Sequence, residues 1–416
     1  MSQSNSILSI LGITDENITA SHVEEKNIVK NGVRKKIRIV HGVLTYSRKR
    51  CPSCGFKSLI KNGTRLTKLH LNSINGPQVY LYLKKQRYQC TNCLLTCGAH
   101  TPLVSTNNTL ANGIKEQVIA LAKESLTTTV IAKIVGISPS SVERYLYANH
   151  KEPYRAASLP KHLSFDEFRS VNKNYSFIAI DAETHKLLTI LSSRQSTKIC
   201  DYFENRYSRK ERAAVQTVVI DLNASYQSFV HRLFPNAKLV IDRFHIIQLA
   251  NRAFDQVRTT TLKTIEDKRS RPYKALKTNW KMFHRSLDKI DSVKPRYIFG
   301  INEYMTQQNL IDIGLNVNQQ LKDAYNIAHQ IQQAIHNKKP EVLVNIINTY
   351  EPQNTTMDTT ISTLKKNIKS IFNSCISPYS NGAIEGTNRK IKSLKRSCYG
   401  FRNMSHFYAR ILLIVK

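Results

Sequence analysis

Residues 216–245 read QTVVIDLNASYQSFVHRLFPNAKLVIDRFH, and this stretch decides the architecture of the chain. QTVVID and AKLVID are short apolar runs, each ended by an aspartate, and each gives way to helical spacing, first in ASYQSFVHRLF and then from Phe244 onward. Alternating strands and helices of this length form crossovers, which set consecutive strands parallel in one sheet. Working upstream, LSFDEFRSV, YSFIAID and KLLTILSS read as three further strands, followed by an amphipathic helix near Lys198 to Arg206. The order β-β-β-α-β-α-β-α predicts a mixed sheet that begins as an antiparallel meander and continues with parallel strands.

Ribonuclease H-like folds are built this way, and such a sheet makes its first and fourth strands neighbours. Asp166, in LSFDEF, and Asp221, ending VVIDLN, are then expected within metal-bridging distance, since adjacent strands lie ~4.8 Å apart. Asp242 ends LVID one strand further from Asp166 and is the less favoured second ligand. His245 follows Asp242 by about one helical turn; the pair either orients a metal-bound water or phosphate, or is a capping aspartate beside a packed histidine. Glu385 opens the basic helix EGTNRKIKSLKR and shares a face with Asn388 and Lys392. Gathered by folding, Asp166, Asp221 and Glu385 suit a pair of hard divalent cations, Mg²⁺ or Mn²⁺, and phosphodiester chemistry. Asp181, in DAETH, reads as a turn residue.

Two further patterns lie upstream. Cys51-Pro-Ser-Cys54 and Cys90-Thr-Asn-Cys93 each set two thiolates on one tight turn, and two such turns complete a closed tetrahedral zinc site of a structural kind. Cys97 is a spare ligand or a packed residue, and Cys200, Cys375 and Cys398 read as core or surface cysteines. TTTVIAKIVGISPSSVERYLYAN carries apolar residues at Val130, Ile131, Ile134 and Val135, a turn at Gly136, and Ser138-Pro139 opening a second helix. That is the helix-turn-helix pattern, with Ser140, Ser141, Glu143 and Arg144 as the exposed readers of a major groove. Arg389, Lys390, Lys392, Lys395, Arg396 and Arg402, interleaved with Tyr399 and Phe401, suit a DNA backbone track.

The whole chain agrees with a nucleic-acid partner. Its 416 residues carry 62 Lys and Arg against 29 Asp and Glu, a formal charge of +33 that points to a polyanion. Apolar content of 41% supports real cores and excludes a disordered chain. No apolar run is long enough to span a membrane, and the short apolar stretch after Met1 lacks a basic flank, so a cytoplasmic, nucleoid-associated protein is expected. The expected organisation is multidomain α+β: an N-terminal arm (1–40), a zinc-binding β module (41–100), a helix-turn-helix (112–150), the first part of the ribonuclease H-like core (160–245), a helical insertion (246–370) and C-terminal core helices carrying Glu385 (371–416). HTPLVSTNNTLANG and HKEPYRAASLPKH read as linkers.

Taken together, CPSCG and the second C-x-x-C, the helix-turn-helix, SFDEF, DLNASYQSFVHRLFPNAKLVIDRFHII and YSNGAIEGTNRKIKSLKRSCYGFRN resemble the DDE-type transposases of bacterial insertion sequences, in particular the ISL-three group. The likeness covers nearly the full length. It implies that Asp166, Asp221 and Glu385 bind two Mg²⁺ ions, that DRFH is the signature following the second aspartate, and that a helical insertion precedes the glutamate. It also implies that the N-terminal domains recognise terminal inverted repeats, that element ends and target are both double-stranded DNA, and that ends are joined in a homodimer or higher synaptic assembly. Two rival readings use the same residues: a non-catalytic zinc and helix-turn-helix regulator, and a ribonuclease H-like nuclease without strand transfer.

Overall fold

The computed structural model of the chain describes residues 3–30, 33–72, 76–148, 156–222 and 224–415. Its contacts divide it into two compact units, Met1–Glu152 with Ile391–Lys416, and Pro153–Lys390. The first unit opens with α1 (Gln3–Ile10) and a sheet of β1 (Ile18–Lys30), β2 (Val33–Leu44), β3 (Leu59–Leu71), β4 (Gln78–Cys90) and the short β5 (Thr96–Gly98), in the order β1-β2-β4-β3 with β5 on β4. The expected arm over residues 1–40 is therefore a helix and two long strands, paired from Ile18↔Leu44 to Lys30↔Val33. Composition hid them because much of their surface is solvated. Ile18, Ala20, Ile37, Ile39 and Val40 are buried, while Glu25 pairs across the strands with Lys36 at 2.5 Å and Arg38 at 2.9 Å.

Three helices follow, α2 (Asn112–Lys123), α3 (Thr128–Val135) and α4 (Pro139–Tyr147), around a core that includes Ile114, Val118, Ile131, Val135, Val142 and Leu146. Thr127 and Ser138 cap α3 and α4 by accepting from Val130 N and Ser141 N, both at 3.2 Å. Gly136 takes the left-handed turn at φ 78°, which a side chain would strain. Val130 and Ile134 depart from expectation: they are 39% and 48% exposed, because the buried face of α3 is Ile131, Ala132 and Val135. Residues 149–155, which include the first six residues of the second expected linker, lie outside the described residues.

The second unit holds β6 (His162–Arg169), β7 (Tyr175–Asp181), β8 (Leu187–Leu191), α5 (Ser196–Arg206), α6 (Arg209–Ala213), β9 (Thr217–Ile220), α7 (Ala224–Leu233), β10 (Lys238–Ile241) and α8 (Arg243–Thr264). The sheet order is β10-β9-β6-β7-β8, with β6, β9 and β10 parallel and β7 antiparallel to both its neighbours. The meander and the crossovers are those the sequence predicts. An aromatic cluster of Phe165, Phe177, Phe203 and Phe234 packs beneath the strands and fixes the sheet on which the acids stand.

The segment after α8 is helical, as expected from its periodicity: α9 (Arg271–Thr278), a two-stranded ribbon of β11 (Arg296–Ile298) and β12 (Glu303–Met305), then α10 (Gln307–Leu315), α11 (Gln319–His336), α12 (Pro340–Thr349), α13 (Thr356–Lys366) and α14 (Ile368–Ile376). The ribbon was not foreseen, since three-residue strands leave no periodicity to read. α14 returns to the sheet, where Ser374 Oγ accepts from Ile241 N at 2.9 Å and Asn373 Nδ2 donates to Leu239 O at 3.1 Å. These bonds cover the edge strand β10.

α15 (Gly382–Ser397) and α16 (Met404–Val415) complete the chain. The expected C-terminal piece of the core, 371–416, does not stay whole: from Ile391 onward the chain belongs to the first unit. There α16 packs on α2 and α4, His406 stacks on Tyr147 at 3.8 Å, and the buried Arg410 donates to Ala122 O and Leu126 O at 3.0 and 2.8 Å. A helix-turn-helix this small gains its second wall from residues almost 300 positions downstream, which no local pattern could reveal.

Candidate functional site

The register of the sheet builds the acidic site. β6 pairs with β9 as Ser164↔Val219, and β10 pairs with β9 as Ile241↔Ile220. Continuing those registers to the strand ends brings Asp166 level with Asp221, and Asp242 level with Asp221 on the other side. Three carboxylates thus form one row across neighbouring parallel strands, each step ~4.8 Å. Asp221 follows the last residue of β9, Asp242 is the N-cap residue of α8, and Glu385 enters from the first turn of α15.

Two asparagines tie the row to the segment carrying Glu385. Asn381 is fully buried: its Nδ2 donates to Asp221 Oδ1 at 2.8 Å, its backbone N–H donates to Asp242 Oδ1 at 3.2 Å, and its Oδ1 accepts from Ser164 Oγ at 2.5 Å. Asn388 lies on the buried face of α15 with Ile384, Ile391 and Leu394, and its Nδ2 donates to Asp166 Oδ2 at 2.6 Å. Its Oδ1 is buried and has no hydrogen-bond partner among the described residues. One end of a single helix is thereby held against β6 and the turn after β9.

His245 joins the remaining acids. Its Nε2 lies 3.0 Å from Asp221 Oδ1, and one ligand atom each from Asp242, His245 and Glu385 fall within 4.8 Å of one another. The structure therefore brings together all five residues singled out in the sequence, although the tightest group contains Asp242 and His245, the two ranked as accessory. Asp166 stands at the far end of the row beside Asp221, where burial, and then the charge of Asp221, push its carboxyl up to about 7. Burial also raises Asp242, and the hydrogen bond to Asp221 raises His245. Raised carboxyls of this kind are costly to ionise side by side unless a cation stands among them. Hard oxygen donors facing a deficit of positive charge fit divalent cations. A cavity of about 400 Å³ opens beside them, lined by Glu167, Asp221, Tyr226, His245, Gln248 and Arg252 among others.

The cysteine centre is closed rather than open. The two C-x-x-C turns repeat one geometry: Cys51 N donates to Phe56 O and Cys90 N to Leu95 O, while Gly55 N donates to Cys51 O and Leu94 N to Cys90 O. Gly55 and Leu94 both take positive φ at the equivalent corner. The four sulfurs lie within 4.8 Å of one another, with Cys51–Cys93 and Cys54–Cys90 both at 3.6 Å. Zn–S bonds of about 2.3 Å give tetrahedral S···S edges of about 3.8 Å, so the cluster fits zinc. The Phe56 N–H holds the Cys54 thiol at about 6, while at Cys93 the neighbouring thiols outweigh the Leu95 N–H and push it up to about 12, a conflict a +2 ion removes. Cys97 is not among the four; it lies on β5 and packs against the core of the sheet.

The expected DNA-facing residues occupy two surfaces. Ser140 and Arg144 are exposed and Ser141 half-buried along α4. Arg389, Lys390, Lys392 and Arg396 are exposed along α15, Lys395 is half-buried there, and Arg402 is exposed in the turn beyond. Sequence reasoning missed Asn381, whose signal was the SNG preceding the glutamate, and the partners Glu167, Tyr226 and Arg194. Arg194 Nη1 donates to Glu167 Oε1 at 2.6 Å. Asp181 closes a turn, accepting from Glu183 N and Thr184 Oγ1.

Known proteins resemble this chain in sequence. A transposase family model of the DDE, ISL3 type matches residues 163–411, and a model of the zinc-finger of transposases IS204, IS1001, IS1096 and IS1165 matches residues 47–93. The transposase for insertion sequence element IS1001 of Bordetella parapertussis is 20% identical over 371 residues, covering 87% of each chain.

Proposed function

Because the chain belongs to the ISL3 family of DDE transposases, a DNA-acting enzyme with a zinc ribbon and a catalytic domain, we propose that Asp166, Asp221 and Glu385 are the catalytic acids. The observation that carries this assignment is the shared row of Asp166 and Asp221, fastened through Asn381 and Asn388 to the helix of Glu385. Asp166, Asp221 and Glu385 would hold divalent ions, which when bound would supply Lewis-acid activation of water and charge stabilisation for an in-line displacement. The protein's own part is positional. Asn388 orients Asp166, Asn381 orients Asp221 and spaces it from Asp242, and His245 shares Asp221 Oδ1, where it holds a proton beside the reacting phosphate. Arg389, one turn beyond Glu385 at 3.4 Å, lies where a DNA phosphate approaches.

The reaction proposed is cleavage at the ends of an insertion sequence, followed by attack of the freed 3′-hydroxyl on a target phosphodiester. The zinc ribbon and α4 read the terminal inverted repeats, with Ser140, Ser141 and Arg144 facing the groove, while Lys390, Lys392, Lys395, Arg396 and Arg402 follow the backbone. Joining two ends requires a homodimer or larger synaptic assembly. Labelled end DNA incubated with the protein and a plasmid tests this reading. Wild-type protein gives cut and joined products, and Asp166→Ala gives neither while still binding ends. Cut ends without joined product would make the protein a nuclease.

Asp242, His245 and Glu385 support a second ligand set, because their ligand atoms already converge. Asp242→Asn and Asp221→Asn separate the two: under the preferred reading Asp221→Asn abolishes cleavage and Asp242→Asn only slows it.

A further inference from the structure

Between residues 267 and 305 the chain carries ten Lys and Arg against four Asp and Glu. Two of those acids are taken up by arginines, Asp291 by Arg296 at 3.3 Å and Glu303 by Arg271 at 2.6 Å. In the midst of this basic surface stands the β11–β12 ribbon, whose two faces differ. Ile298, Met305 and the loop residue Ile301 are buried in the helical core. The opposite face carries Tyr297, Phe299 and Tyr304, which are 49%, 81% and 77% exposed. Tyr297 and Tyr304 are paired across the ladder with rings 5.5 Å apart, and Phe299 lies 6.3 Å from Tyr297.

The rings stand on a fixed support. Asn279 Nδ2 donates to Phe299 O at 3.1 Å, Asn302 N donates to Ile298 O at 2.8 Å, and Gly300 turns at φ 90° so close to Thr278 that a Cβ would meet its methyl at 2.9 Å. Three large aromatics held in water on a braced ribbon oppose the hydrophobic effect and mark a surface suited to a partner that covers them. Paired DNA offers phosphates to the cations but hides its base faces. Unpaired bases offer both, and interleaved aromatics and cations are what binds them.

We propose that the ribbon Arg296–Met305 is a stacking platform for unpaired bases of the strand on which the catalytic centre acts. This rests on the transposase reading above, which supplies frayed or cut strand ends. The test is binding of the full chain to an oligonucleotide carrying 2-aminopurine in a single-stranded segment, beside a fully paired duplex of the same sequence. Stacking quenches the 2-aminopurine, and Phe299→Ala or Tyr304→Ala weakens single-strand binding by ~5- to 100-fold with duplex binding changed less than ~2-fold. Tyr297→Phe keeps the quenching and Tyr297→Leu loses it, which separates a ring from a merely apolar side chain, and an unchanged thermal unfolding profile excludes misfolding. The proposal is overturned if the alanine variants bind both DNAs as wild type does, if both weaken equally, or if the variants lose self-association with DNA binding intact, which marks a protein interface. Cleavage by wild-type protein is scored separately, so failure of the platform and failure of the catalytic reading give different results.

Discussion

The cysteine cluster and the acidic row solve the same problem, bringing like-charged ligands within a few ångströms, by opposite means. The four sulfurs come from two tight turns, one before β3 and one at the end of β4, antiparallel partners in one sheet, and they supply four ligands that complete a tetrahedral site. The acids come from β6, the turn after β9, the cap of α8 and the first turn of α15, and Asp221 among them, with His245, lines a cavity. A closed site made from local turns serves the fold. An open site made from distant elements serves the substrate, and the protein bears its electrostatic cost, as the raised Asp166 carboxyl records.

The largest effect expected is on the closed site. A structural zinc contributes on the order of 10 kcal/mol to the folding of small zinc modules. Cys90→Ser, or chelation, is expected to unfold the ribbon and cut end-DNA binding at least ~100-fold, with amide exchange over residues 47–98 as the readout. If the comparison holds, Asp166 and its neighbours are unaffected by that loss. Next comes Asp166→Ala, which should lower cleavage by ~1000-fold or more, about 4 kcal/mol of transition-state stabilisation, while leaving end binding intact. Single-turnover cleavage beside a gel-shift titration measures both.

Asn381→Ala sharpens the contrast by attacking the supports rather than the ligands. It leaves Ser164 and Asp221 short of partners, while the backbone donation to Asp242 survives, and should cost ~2 to 4 kcal/mol of stability and ~10- to 100-fold in activity. Asn388→Ala removes a single donor to Asp166 and should lower activity by about tenfold. The smallest effect concerns stability against pH. A carboxyl whose folded pKa is raised from 3.8 to about 7 is favoured by folding in its protonated form. Its contribution is therefore full below the unfolded value and is lost as pH rises through that window. Metal-free protein should lose stability across it, and Asp166→Asn should flatten the loss in denaturant titrations at several pH values.

Much of the fold was legible because buried strands and crossover helices write long apolar patterns. VVID and LVID named their acids by ending strands and SFDEF by interrupting one, and register then placed them. The cysteine pairs were legible for a simpler reason, since their spacing alone defines two turns. What stayed hidden was long-range or half-solvated. β1 and β2 carry charges in place of a clean alternation, so they read as an arm. α16 is apolar enough for any core, and only Arg410 and His406 reveal that it serves the helix-turn-helix. Asn381 and Asn388 are ordinary polar letters in the sequence, and their value arises from the carboxylates that folding brings to them. Tyr297, Phe299 and Tyr304 were equally silent, because a three-residue strand has no period and an exposed aromatic reads like a buried one.

Which carboxylates hold the divalent ions decides the catalytic assignment. Anomalous diffraction from a Mn²⁺-soaked complex with end DNA addresses this directly. Peaks bounded by Asp166, Asp221 and Glu385 are predicted; peaks held only by Asp242, His245 and Glu385, leaving Asp166 without a metal contact, would contradict it.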